Sequence, residues 1–203
     1  VRFWQKFVTL FLSIQMGIGY VNKKAKLIPT IYSSQNLVEQ KEIKLSLDNS
    51  NNLYSIDYNL NEIKKIKSTF KSFFSLSPPN ISSFEKNEKA LVFWVRSHSY
   101  FVLGKIDKKR ISENFKNISS ITDQTGGWIC FNLSGINTKL LLDKMLTIDL
   151  VTFGNNQVLR TSVNKINCFV LCHDQFENYT IICPVSFMES MKTRLLNLIN
   201  LVA

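Results

Sequence analysis

Between residues 53 and 133 the spacing of apolar side chains switches repeatedly between a period of two and a period near 3.6. No other feature constrains the fold as much. Residues 53–58 alternate as a half-buried strand does. Asn61 is placed to cap a helix, and Ile63, Ile66, Phe70, Phe73 and Phe74 follow at helical spacing until Ser77-Pro78-Pro79-Asn80 stops them. Runs at 90–95 and 99–103 are rich in β-formers and flank a turn at Arg96-Ser97-His98. Asp107 opens a second helix through Ile111 and Phe115. Strand-like runs at 118–122 and 128–133 are separated by Gln124-Thr125-Gly126-Gly127. The order strand–helix–strand–strand–helix–strand predicts a ferredoxin-like βαββαβ lobe within an α+β fold.

The remainder predicts a second small α+β lobe over 134–203. A helix from Asn137 to about Met145 turns Leu140, Leu141 and Met145 inward, and strands follow near 157–162, 166–172 and 178–183. The last helix starts after Pro184, with Phe187, Met191, Leu195, Leu198 and Val202 as its core face. Residues 28–52 are polar apart from Glu42-Ile43-Lys44-Leu45-Ser46-Leu47, which suits an edge strand ending at Asp48-Asn49-Ser50-Asn51. The expected organisation is one body over 28–203, with lobes at about 53–133 and 134–203.

Residues 1–27 form an apolar extension. Arg2 and Lys6 precede a run from Phe7 through Ile14 to Tyr20, but no small-x-small cleavage site follows. The run is shorter than the roughly 20 apolar residues of a membrane span. Met16 offers an alternative start, so the extension reads as a start-site artefact; a docking helix and a membrane or export signal are the alternatives.

The chain carries 25 Lys+Arg against 15 Asp+Glu, a net charge of +10. Only Arg2, Arg96, Arg110, Arg160 and Arg194 supply the guanidinium fork that phosphate and base readers favour. The excess is Lys, in a chain also heavy in Asn, Ile, Phe and Ser, residues with A/T-rich codons. The charge therefore does not require a nucleic-acid partner, and none is expected. The Lys runs at 23–26, 64–67 and 105–110 lie on different elements; solvated faces explain them, and an acidic partner surface is their functional reading.

Cys130, Cys168, Cys172 and Cys183 each sit in an apolar run, as core thiols of a reducing cytoplasm do. Cys168 and Cys172 fall on one face of one strand but about 13 Å apart at the usual rise, too far to share a zinc with bonds of about 2.3 Å. A nucleophile pair of Cys172 with His98 or His173 has no supporting pattern. Asn80, Asn117, Asn132 and Asn178 head Asn-x-Ser/Thr sequons, of which Asn132, inside a strand-like run, makes a poor surface acceptor. The common phosphate-loop, dinucleotide, zinc-protease and hydrolase patterns are missing. No catalytic, cofactor-binding or metal-binding residue is expected in this chain.

From Lys89 onward the sequence resembles the γ subunit of heterotetrameric sarcosine oxidase. The resemblance rests on the Trp-centred strand pair, Leu91 to Val95 around Trp94 and then Tyr100 to Gly104, preceded by the loop Leu76-Ser77-Pro78-Pro79-Asn80. It continues in order through Leu133-Ser134-Gly135, the ending at Leu146 to Leu150 with Asp149, Arg160-Thr161, and Ser186-Phe187 before the last helix. Arg96-Ser97-His98-Ser99-Tyr100 replaces the family's acidic Trp turn, and Val185 stands where an Arg is usual. The resemblance implies an aminomethyltransferase-like α+β fold and a place in an αβγδ flavoenzyme that oxidatively demethylates sarcosine to glycine, passing a methylene group to tetrahydrofolate. FAD, FMN, NAD and tetrahydrofolate would then belong to partner subunits, this chain would contact the α subunit directly and the β and δ subunits through the complex, and the complex would be cytoplasmic, without membrane or nucleic-acid partners.

Two other classes compete. A stand-alone folate-binding or aminomethyltransferase-like protein would use Trp94, Tyr100 and Trp128 to stack a pterin. An RNA-associated basic protein would use the Lys runs.

Overall fold

The computed structural model describes residues 34–40 and 42–202, so the expectations for residues 1–27 lie outside the described residues. Within the compact unit that begins at Tyr32, two antiparallel sheets are stacked. The first to be completed along the chain contains β3 (Asn52–Tyr58), β4 (Phe84–Lys86), β5 (Ala90–Arg96), β6 (Ser99–Gly104) and β7 (Ser119–Asp123), in the order β4-β5-β6-β3-β7. The last four strands of that order, with α1 (Ile63–Phe74) between β3 and β5 and α2 (Lys108–Asn114) between β6 and β7, form the expected βαββαβ arrangement.

The second sheet has six strands in the order β1-β2-β8-β11-β10-β9. They are β1 (Gln35–Gln40), β2 (Ile43–Asp48), β8 (Trp128–Ser134), β9 (Gln157–Val163), β10 (Ile166–Asp174) and β11 (Asn178–Pro184). Strand β8 thus pairs with β2 and β11 rather than with β7, and the sheet draws strands from both sides of residue 133. Strand β2 is interior, not an edge, because β1 covers it on the outside.

Alternation along the strands builds four layers. On the five-stranded sheet Tyr54, Ile56, Val92, Tyr100 and Val102 face Ile66, Phe70, Phe74, Ile111 and Phe115 of α1 and its neighbour. The opposite residues, Leu53, Phe93, Val95 and Phe101, meet Cys130, Phe169, Leu171 and Ile182 of the other sheet. The outer face of the six-stranded sheet buries Ile129, Phe131, Val170 and Ile181 beneath α3 (Thr138–Asp143) and α4 (Met188–Val202). Each layer boundary removes apolar surface from water, which is what holds the sheets together.

Local chemistry departs from expectation in three places. Asn61 does not cap α1; Asn59 caps a preceding 3-10 turn by accepting from the Asn61 N–H, and Glu62 stands at the N-cap without a side-chain capping bond, its carboxylate paired with Lys65 instead. Leu140 lies outward and Leu142 takes the buried position, because α3 turns Thr138, Leu141 and Leu142 toward the core and so sets Leu140 on its other side. Phe187 is exposed in a 3-10 turn, so the core face of α4 starts at Met188 and runs through Met191, Leu195, Leu198 and Ile199. Asp107 does cap α2, accepting from the Arg110 N–H at 2.9 Å.

Candidate functional site

The inter-sheet layer changes character at one end. Three adjacent strands there put polar residues on a face that is apolar elsewhere: Asn132 on β8 lies opposite Thr180 on β11, and His173 follows on β10 beside a register shift between Cys172 and Asp174. With Asp48, Lys89, Leu103 and Ile182 they line an open cleft of about 260 Å³. Asn132 therefore points into protein, tied to Thr180, as a poor acceptor for surface modification.

These side chains form a directed relay. Thr180 Oγ1 lies 2.8 Å from Asn132 Oδ1 and 2.9 Å from His173 Nε2. A hydroxyl has one proton, and Asn132 Oδ1 can only accept, so Thr180 donates to it and receives from His173 Nε2–H. The Nδ1 atom is then the lone-pair nitrogen and accepts from Lys86 Nζ at 3.3 Å. Burial, assisted by the Lys86 charge, pulls the His173 pKa down to about 4. At neutral pH the ring is uncharged with both nitrogens engaged, which suits holding strands in register rather than transferring protons. On the far side of the cleft Asp48 is tied off: burial raises its carboxyl, but bonds from Ser50, Ser34 and Asn51 outweigh that and hold it below the usual range.

A second concavity, about 500 Å³, lies where the end of α1, the strand entry at 88–90 and the start of α2 meet. Phe73 and Phe74 form its floor, and Lys89, Lys105 and Arg110 its rim, with the Arg110 guanidinium 6.0 Å from the centre of the Phe73 ring. Its walls are fixed by backbone contacts. Asn87 Nδ2 donates to the Phe74 carbonyl at 2.7 Å, and Asn52 Nδ2 and the Tyr54 hydroxyl both donate to the Ile106 carbonyl. Gly104 lets the two strands close up, since a Cβ there would stand 2.5 Å from the Lys89 carbonyl oxygen.

The residues singled out from sequence are dispersed. Trp94 and Tyr100 are brought together as cross-strand partners on β5 and β6, with Tyr100 stacked on Tyr58 at 5.7 Å beneath the helices, but Trp128 packs on Phe101 and Phe169 between the sheets, so the three do not form one aromatic cage. Cys168, Cys172 and Cys183 lie in the outer core of the six-stranded sheet, whereas His173 faces the cleft and Cys130 the inter-sheet layer. All four thiols are free and buried, and burial raises their pKa, to about 12 at Cys130 and Cys183 and about 11 at Cys168. Among the described residues no three His, Cys, Asp or Glu side chains gather as a metal-holding group, and no helix is long and apolar enough to cross a membrane. His98 occupies the β5–β6 turn at positive φ, its ring edge-on to Tyr58, on a different sheet from Cys172. Sequence reading passed over the relay, although Asn132 and Thr180 each interrupt an otherwise apolar strand.

No protein-family model matches the chain, and no curated protein matches it in sequence. Solved structures do. The chain superposes on a heterotetrameric sarcosine oxidase from Corynebacterium sp. U-96, in complex with pyrrole 2-carboxylate, with a TM-score of 0.69 and 13% identity, over 82% of this chain and 88% of that one. The fold is that of a sarcosine oxidase chain. It is also found in aminomethyltransferase T of the glycine cleavage system from Bartonella henselae, with a TM-score of 0.56 and 8% identity over 76% of this chain. There the match covers 45% of the transferase, so this chain corresponds to under half of it. At these identities the likeness is one of fold.

Proposed function

We propose that this chain is the γ-type subunit of a sarcosine-oxidase-like complex, and that it braces the complex rather than carrying out its chemistry. The observation that carries the reading is the superposition of most of this chain on most of a chain of a heterotetrameric sarcosine oxidase. Coverage of 82% of this chain and 88% of that one means that the match takes in most of both chains, unlike a single domain shared with a much larger enzyme. The interior supports the same reading: its one histidine among the inter-sheet residues is held neutral and doubly bonded, and its thiols are buried with raised pKa values. On this proposal FAD, FMN, NAD and tetrahydrofolate sit in partner subunits, the α subunit is the direct contact, and the complex demethylates sarcosine to glycine in the cytoplasm.

Affinity purification of the tagged full-length chain from its native cell tests this. The expected result is recovery of larger chains with flavin absorbance and sarcosine-dependent glycine formation. Recovery of the chain alone, folded and without flavin, overturns it. The stand-alone folate-binding reading, which keeps the aminomethyltransferase fold in its favour, instead requires quenching of Trp emission by tetrahydrofolate in the isolated chain; Trp128 packs in the inter-sheet layer, apart from the cross-strand pair Trp94 and Tyr100, so the three do not converge on one stacking site.

A further inference from the structure

We propose that the groove between the end of α1 and the start of α2 is a docking site for an acidic, aromatic-containing peptide segment of a larger partner protein. The inference rests on the subunit reading for the partner's existence, but the groove's chemistry is argued from its own residues. Lys89, Lys105 and Arg110 line it, and none of them takes part in an ion pair among the described residues. Cations without an ion-pair partner around a concave floor attract carboxylates without first having to break a salt bridge. The floor supplies the second half of the recognition: Phe73 is half-buried, edge-on to Phe74 and Phe115 and under the Arg110 guanidinium, and the part of its ring left exposed extends this aromatic cluster to an aromatic side chain of the ligand.

The acidic residues of the groove favour a peptide over a nucleic acid. Glu88 and Asp107 also line the groove. A continuous row of phosphates would meet these carboxylates, whereas a peptide can place a neutral residue or a backbone N–H against them. The Asp107 carboxylate is already directed at the Arg110 N–H as a helix cap, so it opposes no more than one point of the ligand. The groove is also preformed: the bonds from Asn87, Asn52 and Tyr54 fix its walls, and Gly104 fixes its base, so little ordering cost falls on the binding step.

The test titrates the full-length chain, by fluorescence anisotropy, into a labelled peptide of Asp-Phe-Glu repeats and into a labelled single-stranded oligo-dT. Two triple variants are compared, K89E/K105E/R110E in the groove and K64E/K67E/K71E on α1, which change net charge equally. The wild type is expected to bind the peptide more tightly than the oligonucleotide. The groove variant is expected to lose about tenfold or more in affinity and the α1 variant less than about threefold, as for a few local charge pairs rather than a diffuse field. Equal losses in both variants, tighter binding of oligo-dT, or no peptide binding by the wild type would each overturn the proposal. Should the charge-reversed groove variant lose its far-UV signal, K89Q/K105Q/R110Q takes its place, with a loss of about threefold expected and an unchanged affinity counting against the groove. Peptide binding without flavin co-purification removes the oxidase reading and leaves the groove; a flavin complex that forms equally with the groove variant does the reverse.

Discussion

At the scale of single residues, His173 shows how burial redirects a titratable group. Its pKa lies at about 4 in the folded chain against an ordinary 6.5, first because it is buried and then because Lys86 repels a second positive charge. Between those values the unfolded chain binds a proton that the folded chain does not. The stability this contributes is therefore complete above pH 6.5 and is lost as pH falls toward 4. His173→Gln removes the titration while keeping an amide that can donate to Thr180 Oγ1. The urea midpoint of the wild type is expected to fall more steeply than that of the variant between about pH 7 and about pH 4.5. The carboxylates are common to both proteins and cancel in the comparison, so parallel curves would show that His173 is not held neutral. The same residue explains a limit of sequence reading: one histidine in a row of strand residues carries no signal until Asn132 and Thr180 are seen beside it, and their pairing spans 48 residues.

At the scale of elements, what the sequence made legible is local. Helices α1 and α2 and the β5–β6 and β9–β10–β11 runs follow directly from period and turn residues, because each is decided by neighbours along the chain. Strand β1 was hidden in a polar stretch, since an edge strand covered on one side needs little apolar content; Leu37 and Val38 are the hydrophobic residues it packs against the core. The exposure of Phe187 depends on where its helix starts and that of Leu140 on which side of a short helix turns to the sheet, neither of which apolar spacing specifies. Two glycines separate local from long-range demands in a testable way. Gly135, at the end of β8, has φ +123 and would drive a Cβ into the Glu42 backbone of the neighbouring hairpin. Gly126, in the β7–β8 turn, has φ +81 but open space around it. Gly126→Ala is expected to cost about 1 kcal/mol from backbone strain alone. Gly135→Ala adds a backbone clash to the strain and should cost about 3 kcal/mol or more. Equal shifts of the two urea midpoints would show that the hairpin yields freely to β8.

At the scale of the whole molecule, the assignment of strands to sheets was the part least legible in advance. Sequence order placed the 128–133 run in the lobe that ends at residue 133, but β8 carries apolar residues on both faces, with Ile129, Phe131 and Leu133 on one and Trp128 and Cys130, ahead of the polar Asn132, on the other. That pattern belongs to a strand covered on both sides, as β8 is between the outer helices and the other sheet. The consequence is a shared core: Phe169 of the six-stranded sheet meets Phe93 at 5.4 Å, Phe101 at 5.8 Å and Trp128 at 5.6 Å, so neither sheet can bury its inner face alone. Phe169→Ala should cost about 3–5 kcal/mol, the usual range for emptying a buried aromatic site. Because the lost contacts belong to both sheets, the whole described body should feel the loss. Urea unfolding of wild type and variant, followed by Trp emission for the inter-sheet layer and by far-UV circular dichroism for the strands and helices, is expected to give coincident single transitions that shift together. A variant whose Trp signal moves first, while its far-UV signal holds, would mean that the sheets part before they melt. The partner-bracing role proposed for the chain would then have to rest on one sheet rather than on the stacked pair.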